Sequence, residues 1–240
     1  MHINIFKHDG KQLFDSLLPC NEIIQQVYNK YEQIGNQRST WWFDPPRYVE
    51  MNFNSRNTVY DKNNPTIYLH KKDLKNSKYF KLYLYCPNYI TILLLHVLFK
   101  NRKDILIEDL CGGDGRLFLF LSKLKYNNFS MIDDFSQVNK HLFNGMMADN
   151  NLSFVLNNSN TQPIVISHMG YPLYPKNNLP DSVELICQYG NSDSRKMLFK
   201  LFNNKYVELC TDSNEISTAY CRKDKHEEFL EIIKPYEDIE

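Results

Sequence analysis

The chain has 240 residues, of which 42% are hydrophobic, so it suits one domain with an elaboration or two small domains. Its 28 basic and 28 acidic side chains cancel, and this balance argues against tight nonspecific binding to nucleic acid. The charge is unevenly spread, because residues 1–104 hold 15 Lys/Arg and 9 Asp/Glu, whereas the remainder holds 13 and 19. The first part is therefore expected to meet an anionic ligand or the acidic half of the same chain.

The six cysteines include no C-x-x-C pair, and the seven histidines show no metal spacing, so no metal site is expected. Reduced thiols of this kind indicate an intracellular protein, and we expect it in the cytoplasm. The N-terminus does not look like a signal peptide. The longest apolar run, residues 89–99, is too short to cross a bilayer, so no membrane partner is expected.

Residues 1–35 have helical apolar spacing, and residues 36–80 are irregular, polar and aromatic. Within the irregular part, Asp44–Tyr48 reads Asp-Pro-Pro-Arg-Tyr. It is similar to the D-P-P-Y loop of adenine-N6 methyltransferases, but no apolar strand precedes it, and a proline-rich loop that packs its aromatic rings is the preferred interpretation. Residues 1–85 are interpreted as an N-terminal extension that recognises the substrate, and residues 86–240 as the main domain.

Strands and helices alternate from residue 86 onward. The predicted helices are 87–100, 115–125, 136–147, 195–202 and an acidic one at 224–234. The predicted strands are 105–110, 129–133, 153–156, 164–167, 183–187, 206–210 and 217–221. This alternation predicts an α/β fold with a mainly parallel sheet and helices on both faces.

A glycine cluster marks the turn between the first strand and the next helix. Asp109–Gly115 reads Asp-Leu-Cys-Gly-Gly-Asp-Gly, which predicts a strand, a tight turn and a helix whose backbone N–H groups can face a ligand. A dinucleotide fingerprint requires a third glycine three residues after Gly115, where this chain has Phe118. The bulky ring argues against NAD or FAD.

The same cluster resembles the first motif of class I S-adenosylmethionine (SAM)-dependent methyltransferases, a Rossmann-like family. Asp134-Phe-Ser136, 19 residues after Gly115, resembles the acidic turn that follows that family's second strand. The segment Leu179–Cys187 resembles its fourth strand and the loop before it. The resemblance covers roughly residues 86–221 and implies SAM as the cofactor.

The resemblance also implies roles for individual residues. Asp109 would hold the turn or meet the methionine amino group, and Asp134 would accept hydrogen bonds from the ribose hydroxyls. Gln188 or Tyr189 would lie near the transferred methyl group, Gln188 as a cofactor contact and Tyr189 as the candidate catalytic residue. The floor under the cofactor would be formed by Cys111, Gly112, Gly113, Asp114 and Gly115.

The chain departs from the family pattern in two places. Cys111 replaces the first glycine, and the acid that usually follows the third strand is missing. Asn157 or His168–Met169 stands in its place, depending on which strand is third.

The first functional hypothesis is methyl transfer from SAM to an acceptor that is a nucleic acid, a protein or a small molecule. The alternative is a catalytically inactive methyltransferase-like subunit that binds a partner in a complex. Between Lys62 and Lys103 the chain has nine Lys/Arg and one acid, with interleaved tyrosines, a composition typical of a nucleic-acid surface. A solvated face of a lysine-rich protein explains the same composition.

Overall fold

The computed structural model describes residues 1–35, 89–158, 160–169, 179–189, 205–212 and 217–238. Several sequence predictions concern other residues, namely the Asp44–Tyr48 loop, the boundary at residue 85, most of the basic stretch from Lys62 and the helix at 195–202. Within the described ranges no helix is long and apolar enough to cross a membrane.

The elements follow the predicted order, with ends that differ by a few residues. The helices are α1 (Gly10–Leu17), α2 (Pro19–Tyr31), α3 (Tyr89–Leu98), α4 (Arg116–Lys123), α5 (Lys140–Asp149) and α6 (His226–Ile233). The strands are β1 (His2–Ile3), β2 (Ile107–Leu110), β3 (Phe129–Ile132), β4 (Val155–Leu156), β5 (Val165–Met169), β6 (Leu185–Tyr189), β7 (Tyr206–Asp212) and β8 (Ser217–Arg222). Two short 3-10 helices, Lys223–Lys225 and Lys234–Tyr236, flank α6.

The strands form one sheet in the order β1-β7-β8-β6-β5-β2-β3-β4. All paired neighbours are parallel except β8, which runs antiparallel to both β6 and β7. Counted from the glycine-motif strand β2, the order is third, second, first, fourth, fifth, seventh, sixth. This is the Rossmann-like methyltransferase sheet, so the predicted α/β fold class is confirmed.

The topology settles which strand is which. The third strand is β4, so Asn157 follows it, whereas His168 and Met169 end the fourth strand, β5. The prediction that Leu179–Cys187 leads into the fourth strand is wrong, because that segment leads into β6, the fifth. The sequence correctly predicts a strand at β5, but it does not predict the place of that strand in the sheet.

The N-terminal segment is built into the same structure. β1 pairs in parallel with the end of β7, through His2 with Thr211 and Ile3 with Asp212. Helix α2 packs closely on α5, since a side chain in place of Gly145 would lie 2.3 Å from the Tyr31 ring. The predicted helices in residues 1–35 are present, whereas β1 was not predicted.

Each face of the sheet carries its own apolar core. The larger core contains alternate residues such as Ile107, Phe129 and Val165 together with side chains from all six described helices. Within it, the ring of Phe118 stacks on that of Phe129 at 4.6 Å, so the place of a third glycine is used for packing between α4 and β3. The smaller core lies on the other face and contains Leu110, Ile166, Val183, Ile186, Tyr206 and Tyr220.

Candidate cofactor site

The glycine turn joins β2 to α4 through three residues with left-handed backbone. The φ angles are 59° at Cys111, 62° at Gly113 and 73° at Gly115. Glycine adopts this conformation without strain, whereas Cys111 pays a steric cost because of its Cβ. Gly115 is also the N-cap of α4, and a Cβ there would lie 2.7 Å from Met147 Cε. The turn is therefore tight by conformation and by packing.

The absence of a side chain at Gly112 leaves room for the Asp109 carboxylate. A Cβ at Gly112 would lie 2.7 Å from Asp109 Oδ2 and 2.8 Å from Met131 Sδ. Asp109 is only 2% exposed, and its Oδ1 has no hydrogen-bond partner among the described residues. Burial, followed by the charges of Asp133 and Asp114, raises the pKa of Asp109 well above its usual value, although a hydrogen bond with Ser167 opposes the rise. A buried carboxyl oxygen of this kind is suited to a hydrogen-bond donor on a ligand.

Asp114 is engaged in a buried ion pair. Its Oδ2 accepts from Arg116 Nη2 at 2.7 Å and from the hydroxyl of Tyr28 at 3.0 Å. Arg116 Nη2 also donates to the Tyr28 oxygen at 2.9 Å, which closes a triangle of three nearly buried side chains. The predicted role of Asp114 in the cofactor floor therefore rests on its backbone, because its carboxylate holds the turn against α2.

Asp133 is the acid that faces the glycine turn. It directly follows Ile132, the last residue of β3, and its Oδ2 accepts a hydrogen bond from Gly113 N–H at 2.8 Å. Its Oδ1 accepts from Phe135 N–H at 2.6 Å. Burial raises the pKa of Asp133, and these two N–H groups oppose that rise. The ends of β2 and β3 are thus joined by one carboxylate, which the sequence analysis did not single out.

Asp134, the predicted ribose ligand, has a different environment. It is exposed, and its Oδ1 accepts from the backbone N–H of Ser136 at 2.8 Å, within its own loop. The hydrogen bonds from Ser136 lower the pKa of Asp134. Neither Asp134 nor Ser136 caps the following helix, because α5 begins later, at Lys140, and its N-cap is Asn139. Asp133, one residue earlier, is therefore the acid that contacts the glycine turn.

Asn157 braces the Asp133 loop from the third strand. Its Oδ1 accepts from Asp133 N–H and its Nδ2 donates to the Asp133 carbonyl oxygen, both at 3.0 Å. The amide thus substitutes for a strand partner where β4 ends. Asn157 occupies the position of the missing acid, but its side-chain amide is already used in these two bonds.

Gln188 and Tyr189 are the last two residues of β6. Gln188 stands opposite His168 of β5 and Thr218 of β8, and Tyr189 stands opposite Met169 and Ser217. β6 is two strands away from β2, a separation of about 10 Å at ~4.8 Å per strand. The structure therefore groups Asp109, the turn and Asp133, and it places the Gln188–Tyr189 pair farther along the same edge of the sheet.

The charge around the turn suits a cationic ligand. Arg116 offsets Asp114, so the carboxyls of Asp109 and Asp133 remain without a cation among their described contacts. Burial, followed by the charges of Asp133, Asp109 and Asp134, raises the pKa of the Cys111 thiol to about 11. Such a field disfavours the pyrophosphate of a dinucleotide. No cluster of three His, Cys, Asp or Glu that could hold a metal ion occurs in the described part of the chain.

Solved structures of methyltransferases are similar to this chain. Magnesium protoporphyrin IX methyltransferase of Synechocystis PCC 6803, solved with bound SAM, is 11% identical with a TM-score of 0.43, covering 77% of this chain and 100% of that one. The ribosomal protein L11 methylase of Lactobacillus delbrueckii subsp. bulgaricus is 15% identical with a TM-score of 0.41, covering 57% and 81%. Precorrin-6y C5,15-methyltransferase of Geobacter metallireducens GS-15 is 12% identical with a TM-score of 0.38, covering 65% and 94%. Neither a protein-family model nor a curated protein matches the sequence.

Proposed function

We propose that this protein is a SAM-dependent methyltransferase. The observation that carries the proposal is the junction of β2 and β3, where Asp133 accepts a hydrogen bond from Gly113 N–H and the buried Oδ1 of Asp109 has no hydrogen-bond partner among the described residues. The carboxyl ends of parallel strands at this point of a Rossmann-like sheet are where nucleotide ligands bind. The glycine turn and the two acids provide both the space and the charge for a cationic nucleoside.

The residues present fit SAM in three ways. Asp133 has oxygens that can accept further hydrogen bonds from ribose hydroxyls, since each carboxylate oxygen has two lone pairs. Asp109 Oδ1 can accept from the ammonium group of the methionine part. Cys111–Gly115 would form the floor between them. The bound cofactor supplies an electrophilic methyl group on a sulfonium centre, so the protein's main task is alignment of the acceptor.

The residues beyond the turn are assigned to the acceptor side. Tyr189, mostly buried at the end of β6, is the candidate for contact with the reacting group. Residues 1–85 are proposed to cover the site and select the acceptor, and their described part meets the turn through Tyr28. The acceptor is proposed only as a nucleic acid, a protein or a small molecule.

Calorimetric titration with SAM and with its demethylated product tests the proposal. The two neighbouring acids provide a matched pair of variants. Asp133→Asn should weaken SAM binding at least tenfold, because a charge-assisted hydrogen bond contributes about 1.5–3 kcal/mol. Asp134→Asn should change the affinity less than twofold. Absence of binding by the wild-type protein at millimolar SAM would contradict the proposal, and the reverse ranking of the variants would restore Asp134 as the ribose ligand.

A second candidate is a methyltransferase-like subunit that binds a partner without catalysis. Two observations favour it, the side chain of Cys111 in a left-handed position and the amide of Asn157 already bonded to Asp133. A folded wild-type protein that binds neither SAM nor its product would support this candidate.

A further inference from the structure

Two consecutive acids of β2 are buried on opposite faces of the sheet, and each is bonded to hydroxyl groups. Glu108 lies across from Ser130, whose Oγ donates to Glu108 Oε2 at 2.8 Å, and Thr161 Oγ1 donates to the same oxygen at 2.6 Å. Asp109 lies across from Ser167 of β5 and forms a hydrogen bond with it. Of the two acids, Asp109 is the one that keeps a buried oxygen without a partner among the described residues. The hydroxyl at Asp109 therefore acts on a carboxyl group of the candidate site.

The hydroxyl of Ser167 is the end of a buried hydrogen-bond chain that comes from α3. Thr91 Oγ1 donates to Ser167 Oγ at 3.3 Å. Thr91 also hydrogen-bonds the thiol of Cys187, which lies beside Ser167 in the neighbouring strand β6. The three residues are at most 1% exposed, and burial raises the pKa of Cys187 to about 12, so the thiol keeps its proton. A protonated thiol and two hydroxyls thus lead from β6 and α3 to Asp109.

The protons of this chain have one consistent order. A hydroxyl has a single proton to donate, and an ionised carboxylate can only accept. Ser167 accepts from Thr91, so its own proton is available to the Asp109 carboxylate, and Cys187 can donate to Thr91 in turn. Each group then donates toward Asp109, which stabilises the ionised carboxylate and opposes the effect of burial on its pKa.

The chain also determines which oxygen of Asp109 is left for a ligand. Oδ1 has no partner among the described residues, so the Ser167 bond falls on Oδ2. Gly112 leaves room for Oδ2, because a Cβ there would lie 2.7 Å from this oxygen. One oxygen is therefore held between β5 and the turn, and the other can accept from a donor on the ligand.

The titratable groups near Asp109 belong to the turn, to the end of β3 and to α4. Burial, and then the charges of Asp133 and Asp114, raise the pKa of Asp109, whereas Arg116 is engaged in its ion pair with Asp114. The Cys111 thiol, whose pKa burial raises to about 11, stays neutral. In these described contacts α3 and β5 contribute hydroxyl groups and no charge. The ionised form of Asp109 is therefore stabilised by hydroxyl donors and not by a cation.

We propose that Ser167, itself oriented by Thr91, is a positioning residue that holds Asp109 for the ammonium group of SAM and extends cofactor binding to lower pH. This inference rests on the proposed function and adds to it the device that controls the charge of the site. Ser167 acts through Asp109 and does not need to touch the cofactor.

The first test measures Asp109 itself in the protein without cofactor. Its side-chain carboxyl carbon is followed by NMR against pH and assigned through its loss in Asp109→Asn. In Ser167→Ala the titration midpoint should rise by about one to two pH units, since a hydrogen bond to a charged group has roughly that effect. Ser130→Ala, which removes the matched buried hydroxyl beside Glu108, should leave the Asp109 midpoint unchanged.

The second test measures SAM affinity by calorimetry from about pH 5 to about pH 8, across which the charge of Asp109 is expected to change. Ser167→Ala should bind SAM about tenfold or more weakly than wild type at the low end, and the ratio should narrow as pH rises because both carboxyls ionise. A defect of folding alone would lower the affinity by the same factor at every pH. Methylthioadenosine, a nucleoside thioether that lacks the ammonium group, should bind both proteins within about twofold at every pH.

Thr91→Val keeps the shape of the side chain and removes the first donor of the chain. It should move the Asp109 midpoint in the same direction as Ser167→Ala but by less, because it lies one bond farther from the carboxylate. This variant decides the question if Ser167→Ala does not fold.

The outcomes separate this inference from the proposed function. If wild type binds SAM but the folded Ser167→Ala protein (or Thr91→Val in its place) leaves the Asp109 midpoint and the pH profile of SAM affinity unchanged, the inference is wrong and the proposed function stands. A loss of SAM affinity that is equal at every pH also overturns the inference. If wild type does not bind SAM, the proposed function is wrong even where Ser167→Ala shifts the Asp109 titration.

Discussion

The hydroxyl of Tyr28 donates a hydrogen bond to Oδ2 of Asp114 over 3.0 Å, and 86 residues of sequence separate the two. This bond ties helix α2 to the glycine turn. Arg116 Nη2 completes the contact by donating to the Tyr28 hydroxyl oxygen and to Asp114 Oδ2, so the turn is held through a buried ion pair. A change in the position of α2 is therefore expected to shift the backbone of the glycine turn.

Tyr28→Phe should destabilise the protein by about 1–3 kcal/mol, because it removes the bond to Asp114 and the bond from Arg116 and so leaves a buried charged pair with two hydrogen bonds fewer. SAM affinity should fall as well, since the turn loses its support. Urea denaturation measures the first effect and calorimetry the second.

Tyr31→Phe is the control on the same helix. Its hydroxyl donates to the Asp149 carboxylate at 2.8 Å on the exposed side, and loss of that bond should cost about 0.5 kcal/mol or less. Equal effects of the two substitutions on SAM affinity would contradict a specific role for Tyr28.

The raised pKa of Asp109 makes stability depend on pH. The folded protein holds this proton more tightly than the unfolded chain, whose carboxyl keeps the usual value of 3.8. The free energy of unfolding contributed by Asp109 therefore falls as pH rises from 3.8 through the raised pKa. Asp109→Asn should remove this slope and stabilise the protein at pH 8 by about 1–3 kcal/mol, while SAM binding weakens because the amide does not attract an ammonium group.

Urea denaturation of both proteins at pH 5 and pH 8 measures the difference in slope. Asp181→Asn is a control that should show the same stability difference from wild type at pH 5 and at pH 8, since a hydrogen bond with Lys205 lowers the pKa of Asp181 below 3.8 and this carboxylate is ionised in both the folded and the unfolded protein over that range. A stability difference between Asp109→Asn and wild type that stays constant with pH would contradict the assigned shift.

The features that local patterns encode could be predicted from the sequence. The apolar run of β2 and the glycines after it predict the turn. Glycine is favoured at Gly115 because it adopts left-handed backbone without strain and leaves room for Met147. The alternation of strands and helices predicts the fold class, because it too is a local pattern. Element ends were less accurate, and α5 begins at Lys140, after the cap residue Asn139, rather than at residue 136.

Features that depend on distant pairing could not be predicted. The choice between Asp133 and Asp134 turns on where β3 ends, which is set by the pairing of Ile132 with Leu110 across the sheet. β1 is two residues long and exists because β7 offers a free edge at Thr211. Neither register leaves a signal in the nearby sequence.

Cys111→Gly tests the residue that departs from the glycine pattern. At a φ of 59°, a residue with a Cβ costs about 1–2 kcal/mol, whereas the extra freedom of glycine in the unfolded chain costs about 0.5–1 kcal/mol. The glycine variant should therefore equal or exceed the wild type in stability, by up to about 1.5 kcal/mol. SAM should bind at least as tightly, because the exposed thiol no longer stands on the floor of the site.

Cys111→Ala separates backbone strain from the chemistry of sulfur. Alanine retains the Cβ and the strained backbone, so it should be less stable than the glycine variant by about 1 kcal/mol and close to the wild type. Urea denaturation of the three proteins, with SAM titrations in parallel, provides the comparison. A glycine variant less stable than the alanine variant would mean that the turn is not left-handed at residue 111, and the floor assigned to Cys111–Gly115 would then have to be redrawn.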